Sequence, residues 1–166
     1  MDTMPLITVL FVSCPEEMMI SALGLLLFGI KPNLRKIILI GFIQAVISFF
    51  IRLLPVPFGI HTLLQIPLFI LVIFLIMRIP FLIAAVCLLV SFTIYVIIDA
   101  TFAPLILNMT NIPLDQVLAD GKLRILFFLP QGLVMLLVVL LVFFFNFKLI
   151  DLSTLIMSRE DEEWKR

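Results

Sequence analysis

Apolar residues fall along this chain in long blocks, not in alternation. Five blocks are read, at about residues 4–30, 37–54, 60–77, 80–107 and 123–147. Spanning a bilayer takes about 20 apolar residues per helix, and each block is close to or above that length. Backbone groups in lipid must pair within their own segment, so these blocks are expected to be helices. A lipid-facing barrel would alternate with period 2. Runs such as V-M-L-L-V-V-L-L-V-F-F-F at 134–145 do not alternate. The connections at 31–36, 55–59 and around Arg78 are short, so successive segments are expected to pack antiparallel. Pro32, Pro55, Pro57, Gly59 and Pro80 punctuate them.

The link at 108–121 is longer. Asn111 could cap a short helix there, with Pro113 in its first turn and Gly121 stopping it. Leu114, Val117 and Leu118 fall at i, i+3 and i+4 and would form one apolar face on the outer surface. Beyond the last block the chain turns polar. Ser158 and Asp161 have the spacing of a capping box, so the tail either starts a helix or is a frayed charged end.

Composition makes lipid the solvent. The chain has 166 residues, of which 64% are hydrophobic and 13% charged. A soluble domain has roughly 45–50% and about 25%. Mean hydropathy is +1.34. A soluble fold of this length buries too small a share of its surface to hide so many apolar residues. The expected fold is therefore all-α: an integral membrane bundle of about five transmembrane helices, with a short outer interfacial helix. Residues 1–150 would form the transmembrane domain and 151–166 a cytoplasmic polar tail. The N-terminus has no basic region of the kind that precedes a cleavable signal, so the first helix would direct insertion itself.

Charge sets the orientation. With the N-terminus outside, the inner side holds Lys31, Arg35, Lys36, Arg78, Lys148, Arg159, Lys165 and Arg166; the outer side holds Arg52, Lys122 and Arg124. Eight against three satisfies the positive-inside rule with N-out and C-in, in a multi-pass protein of the cell membrane. The formal net charge is zero, which argues against nucleic acid as a partner. Cys14 and Cys87 both lie in apolar blocks and read as small buried hydrophobes.

Counting ~1.5 Å per helical residue from the inner end of each block places the ionisable groups in a band. Glu16 and Glu17 lie ~20 Å up, Arg52 ~22 Å, His61 ~24 Å and Asp99 ~28 Å; Gln131 lies ~25 Å up with Arg124 ~10 Å higher. All fall toward the outer side of a hydrocarbon core roughly 30 Å thick. Charged groups at such depth are costly and seek partners in the bundle interior, so this layer is the candidate ligand-binding or ion-pair site. Plainer readings stand beside it. Arg52 and Arg124 could snorkel to headgroups, and His61 could be a satisfied interfacial histidine. Gln44 and Gln65 would bond between helices. Ser13 with Glu16 also has capping-box spacing, with Pro15 in a first turn. The first block is then either one kinked helix or a helix that starts near Cys14, with an apolar arm before it.

No zinc-protease, nucleophile-elbow or phosphate-loop motif occurs, and adjacent Glu16 and Glu17 point about 100° apart on a helix. No catalytic residue, metal or cofactor is expected. The stretches P-V-P-F-G-I-H at 55–61 and I-L-F-F-L-P-Q at 125–131, in a five-span N-out plan, resemble the N-terminal membrane-sensing region of peptide-responsive sensor histidine kinases of Gram-positive bacteria. The resemblance implies a bacterial sensing domain with a membrane or cytoplasmic signalling partner, and leaves homo-oligomerisation open. The chain has no phosphoacceptor-histidine helix and no ATP-binding domain. Two other roles remain open. One is an accessory subunit packing through small residues such as Gly24, Gly29, Ala84 and Ala85. The other is a small transporter component whose acids carry a cation or protons.

Overall fold

The computed structural model describes residues 9–54, 60–113, 116–117 and 120–152. These form an all-helical bundle, with no strand among the described residues. Helix α1 is Cys14–Leu27, entered through a π-helical segment, Val9–Ser13. It is followed by α2 (Leu34–Arg52), α3 (Ile60–Met77), α4 (Phe81–Thr110) and α5 (Gly121–Phe145). Helices α2 to α5 are each long and apolar enough to cross a membrane.

Helix α1 is shorter and sits at the centre, packed by α2, α4 and α5, while α3 packs on α2 and α4. Its residues Ile20, Leu23 and Leu27 meet Ile37 and Ile40 of α2, Ile73 of α3, Ala84 and Leu88 of α4, and Met135 of α5 in one apolar core. The outer helices turn Leu and Phe side chains away from it: Leu63, Leu82, Leu133 and Phe144 are all largely exposed. In a membrane protein that exposure is lipid contact. Glycine lets the central helix be approached closely. A Cβ on Gly24 would run into the Cys87 carbonyl of α4, and one on Gly41 into Met18 and the Cys14 carbonyl. Gly24 and Ala84, expected as faces for a partner, are thus used inside the bundle.

The start of α1 settles one open reading. Ser13 has helical dihedrals (φ −64°, ψ −42°) and makes no side-chain cap hydrogen bond, so the capping box does not form. The helix continues upstream with a widened turn. Proline supplies the reason: Pro15 has no N–H to donate, and its ring crowds the carbonyl four residues earlier. A π-helical turn is a common way to absorb such a mismatch.

Helix ends elsewhere follow local chemistry. Asn33 caps α2, accepting from Arg35 N at 3.1 Å. Gly29 (φ 76°) ends α1, with Gly29 N bonding to Leu26 O and Ile30 N to Leu25 O, the paired bonds of a Schellman motif. Asn111 was expected to start a surface helix; instead it ends α4 in the left-handed conformation, with its N–H on Leu107 O. Asparagine tolerates that conformation better than most residues, and α4 therefore runs further than its apolar block. Gln116 and Val117 are helical, with both N–H groups on Pro113 O. Asp120 then caps α5, accepting from Lys122 N at 2.9 Å, so Gly121 opens a helix where it was expected to close one. Leu114, Leu118 and the tail from 153 lie outside the described residues, as does the capping box expected at Ser158.

Candidate functional site

Polar residues recur at i, i+4 and i+8 on the inward faces of three helices. On the first helical segment they are Ser13, Glu17 and Ser21; on α2, Gln44, Ser48 and Arg52; on α4, Ser91, Tyr95 and Asp99. Residues four apart stack on one helix face, so each set is a stripe. The stripes of α2 and α4 keep step: their members stand ~15, ~21 and ~27 Å along from the first residue of each helix. Ser13, Ser21, Ser48, Ser91, Gln44 and Glu17 are buried; Arg52, Tyr95, Asp99 and Glu16 are half-buried.

Four helices meet at one end of these stripes, the end that holds Glu17, Arg52 and Asp99. The Tyr95 hydroxyl of α4 lies toward the Glu16 carboxylate of α1. The Arg52 guanidinium of α2 stands within electrostatic reach of both Glu16 and Glu17. The side chain of Gln131 on α5 lies toward Tyr95 and Asp99, although no acceptor meets its Nε2 at full hydrogen-bond geometry. Pro15, by opening the turn before it, leaves Glu16 and Glu17 in the first turn of regular α-helix, where the helix dipole favours negative charge. Glu17 points into the bundle and Glu16 beside it toward α4, as adjacent residues 100° apart must.

Two further sequence-predicted residues are His61 and Arg124. The His61 ring nitrogen Nδ1 lies 3.1 Å from Ile51 O, pinning the start of α3 to the end of α2. This is the satisfied interfacial role. Arg124 lies in the first turn of α5 and is buried, so its side chain does not snorkel outward.

The serines and Tyr95 escaped the reading from sequence, although the i, i+4, i+8 spacing was available. Deeper in the bundle the serines are tied to backbone. Ser91 Oγ donates to Cys87 O and Leu88 O at 3.0 Å, and Ser21 Oγ to Met18 O at 3.0 Å. Gln65 of α3 reaches Ser48 of α2, the inter-helix bond expected of it. Gln44 does not make such a bond: it is fully buried, and neither Oε1 nor Nε2 has a partner. A buried unpaired amide costs roughly 1–3 kcal/mol. Gln44→Met should therefore stabilise the bundle, by about 1 kcal/mol or more, and raise the thermal midpoint of the purified protein. A lower midpoint would show that the amide is satisfied in the membrane by water or a ligand.

Chemically, the cluster offers three carboxylates (Glu16 and Glu17 on α1, Asp99 on α4), a guanidinium, a phenol and an amide, all near one end of the bundle. That set suits recognition of a small charged or hydrogen-bonding group. Among the described residues no three His, Cys, Asp or Glu side chains gather closely enough to hold a metal ion. Comparison with family models, with curated proteins and with solved structures matched nothing.

Proposed function

We propose that this chain is a non-catalytic sensing or ligand-binding membrane domain, N-out and C-in, with α1 as a fifth span and the cluster around Glu16, Arg52, Tyr95, Asp99 and Gln131 as its outward-facing site. The observation that carries this reading is the convergence of charged and hydrogen-bonding side chains from four helices on one end of an otherwise apolar bundle. Intramembrane ionisable groups held this way usually mark function. The eight-to-three bias of Lys and Arg supports the orientation. A route inward also exists. Helix α1 carries the glutamates at one end, and at the other its Leu27 and Phe28 carbonyls accept from Leu149 N (2.8 Å) and Leu152 N (3.1 Å). A shift of α1 would thus be felt where the chain leaves α5 for its polar tail.

Two experiments test the reading. The first is topology. An impermeant maleimide should modify Lys122→Cys in intact cells, and Lys36→Cys only after permeabilisation. The reverse pattern would overturn the orientation. The second is purification of the full chain from native membrane in gentle detergent, with mass spectrometry. A bound peptide or small molecule, or a kinase-like transmitter, should copurify and be lost in Asp99→Asn and Arg52→Ala. Fixed-stoichiometry membrane subunits that stay bound in both variants would replace the sensing role with that of an accessory subunit.

A further inference from the structure

At the opposite end from the polar cluster, the C-terminal ends of α1 and α5 frame a shallow cleft. Its walls are Leu26, Val142 and Phe143, its floor is Gly29, and Lys31 and Lys148 stand on its rim. The lysines come from distant parts of the chain, one following α1 and one following α5. Lys148 is held in place by Asp151, with Nζ 2.7 Å from Oδ2, which uses one of its three donors. Lys31 is exposed. Phe143, Phe144 and Phe145 are exposed below the rim, so the apolar wall runs directly into the lipid-facing surface.

The usual occupation for lysines near helix C-termini is to neutralise the terminal carbonyls. Here backbone N–H groups already do that. Leu149 N and Leu152 N bond to Leu27 O and Phe28 O. Asn146, in the left-handed conformation, directs its N–H to Phe143 O, while Phe147 N reaches Val142 O. Lys31, and the Lys148 donors not spent on Asp151, are left to act on something else. Two ammonium groups and one carboxylate leave one net positive charge over an apolar wall at the membrane boundary. Arg35 and Lys36, in the first turn of α2, follow closely after Lys31 but do not line the cleft.

We propose that this cleft seats an anionic phospholipid, its phosphate between Lys31 and Lys148 and an acyl chain along Leu26, Val142 and Phe143. Basic pockets between transmembrane helices at the membrane surface take such headgroups. Gly29 matters because a Cβ there would meet the Asp151 carboxylate at 2.6 Å and the Lys148 stem at 3.3 Å, so the bare glycine is what lets the Lys148–Asp151 pair lie against the cleft. The inference does not depend on the sensing role or on the orientation, since both leaflets contain phospholipid.

The test is native mass spectrometry of the full chain, released from micelles holding equal phosphatidylglycerol and phosphatidylcholine. The wild type should retain phosphatidylglycerol in roughly tenfold excess, counting one lysine in full and one partly spent on Asp151. Lys31→Gln/Lys148→Gln should bring the ratio near one, while Lys31→Arg/Lys148→Arg keeps the excess and shows that the fold survives the double change. Lys36→Gln should leave the ratio unchanged. The proposal is overturned by an even ratio in the wild type, by an excess that persists without the two lysines, or by an equal loss in Lys36→Gln. Displacement of the lipid by millimolar inorganic phosphate would make the rim a site for free phosphate and would also overturn it.

Discussion

Arg52→Ala should destabilise the bundle by about 2–3 kcal/mol, below the 3–5 kcal/mol typical of a fully buried broken pair because the guanidinium is only half-buried. The loss comes less from a missing attraction than from what stays behind. Glu16 and Glu17 sit on adjacent positions of α1, and Arg52 is the cation within reach of both. Remove it and two adjacent carboxylates are left without their cation in a medium that solvates them poorly. The same logic predicts a rescue. Glu17→Gln in the Arg52→Ala background removes one stranded charge and should recover more than half of the loss. Arg52→Lys should fall in between, since an ammonium keeps the charge but lacks the planar fork. Unfolding of the purified protein in mixed micelles by added dodecyl sulfate, followed by circular dichroism, gives the comparison. If the single and double variants unfold together, Arg52 does not compensate the glutamates, and the cluster loses its electrostatic logic.

Gly24→Ala should cost a similar amount, about 2–3 kcal/mol, for a steric reason. An added methyl would meet Ser91 Oγ at 2.8 Å and the Cys87 carbonyl carbon at 2.9 Å, with the carbonyl oxygen closer still. A side chain can swing aside, but a backbone carbonyl inside a helix cannot, so α1 and α4 must separate. Overpacking of this kind typically costs 1–3 kcal/mol. Removing the hydroxyl with Ser91→Ala should give little relief, because the carbonyl remains. Gly132→Ala is the control: its nearest neighbour is the Phe128 ring of the same helix, at 3.0 Å. That ring can rotate, and alanine gains helix propensity over glycine of about 1 kcal/mol. Gly132→Ala should unfold at or above the wild-type concentration. Equal losses at both positions would mean that the α1–α4 approach is not what limits stability. Because α1 carries the glutamates and α4 carries Tyr95, Gly24→Ala should also loosen the polar cluster without touching any of its side chains.

How legible this was from sequence depends on which coordinate is asked for. Apolar run length placed the helices well: the block at 60–77 matches α3 residue for residue. Counting residues along each block gave height, and Glu16, Arg52, Asp99 and Gln131 do meet at one end. Counting gave no azimuth, which is why His61, at a similar height, turned out to serve the Ile51 carbonyl instead. Tyr95 was overlooked because a tyrosine inside an apolar run counts as part of the run, and lone serines in such runs look neutral. Only the spacing of four shows that they share a face. Helix termini were the least legible. Asn111 and Asp120 are both good caps by residue type, and nothing local decides whether Asn111 opens a helix or closes one. The length to which α4 runs decided that. The widened turn before Cys14 could have been anticipated from Pro15, had the helix been known to extend upstream.

The central position of α1 has a consequence for how the protein is made. The helix that ends up most enclosed leaves the ribosome before the helices that pack around it. At 5–20 residues per second, Arg52 follows Glu17 by roughly 2–7 s and Gln131 by roughly 6–23 s. During that interval the glutamates lack Arg52, and an unpaired charge inside the hydrocarbon core is costly. Under the proposed topology, α1 and α2 would therefore enter as a hairpin, with Arg52 arriving beside the glutamates at the outer surface. The later helices then close around that pair, and Leu149 and Leu152, just after α5, bond to the far end of α1.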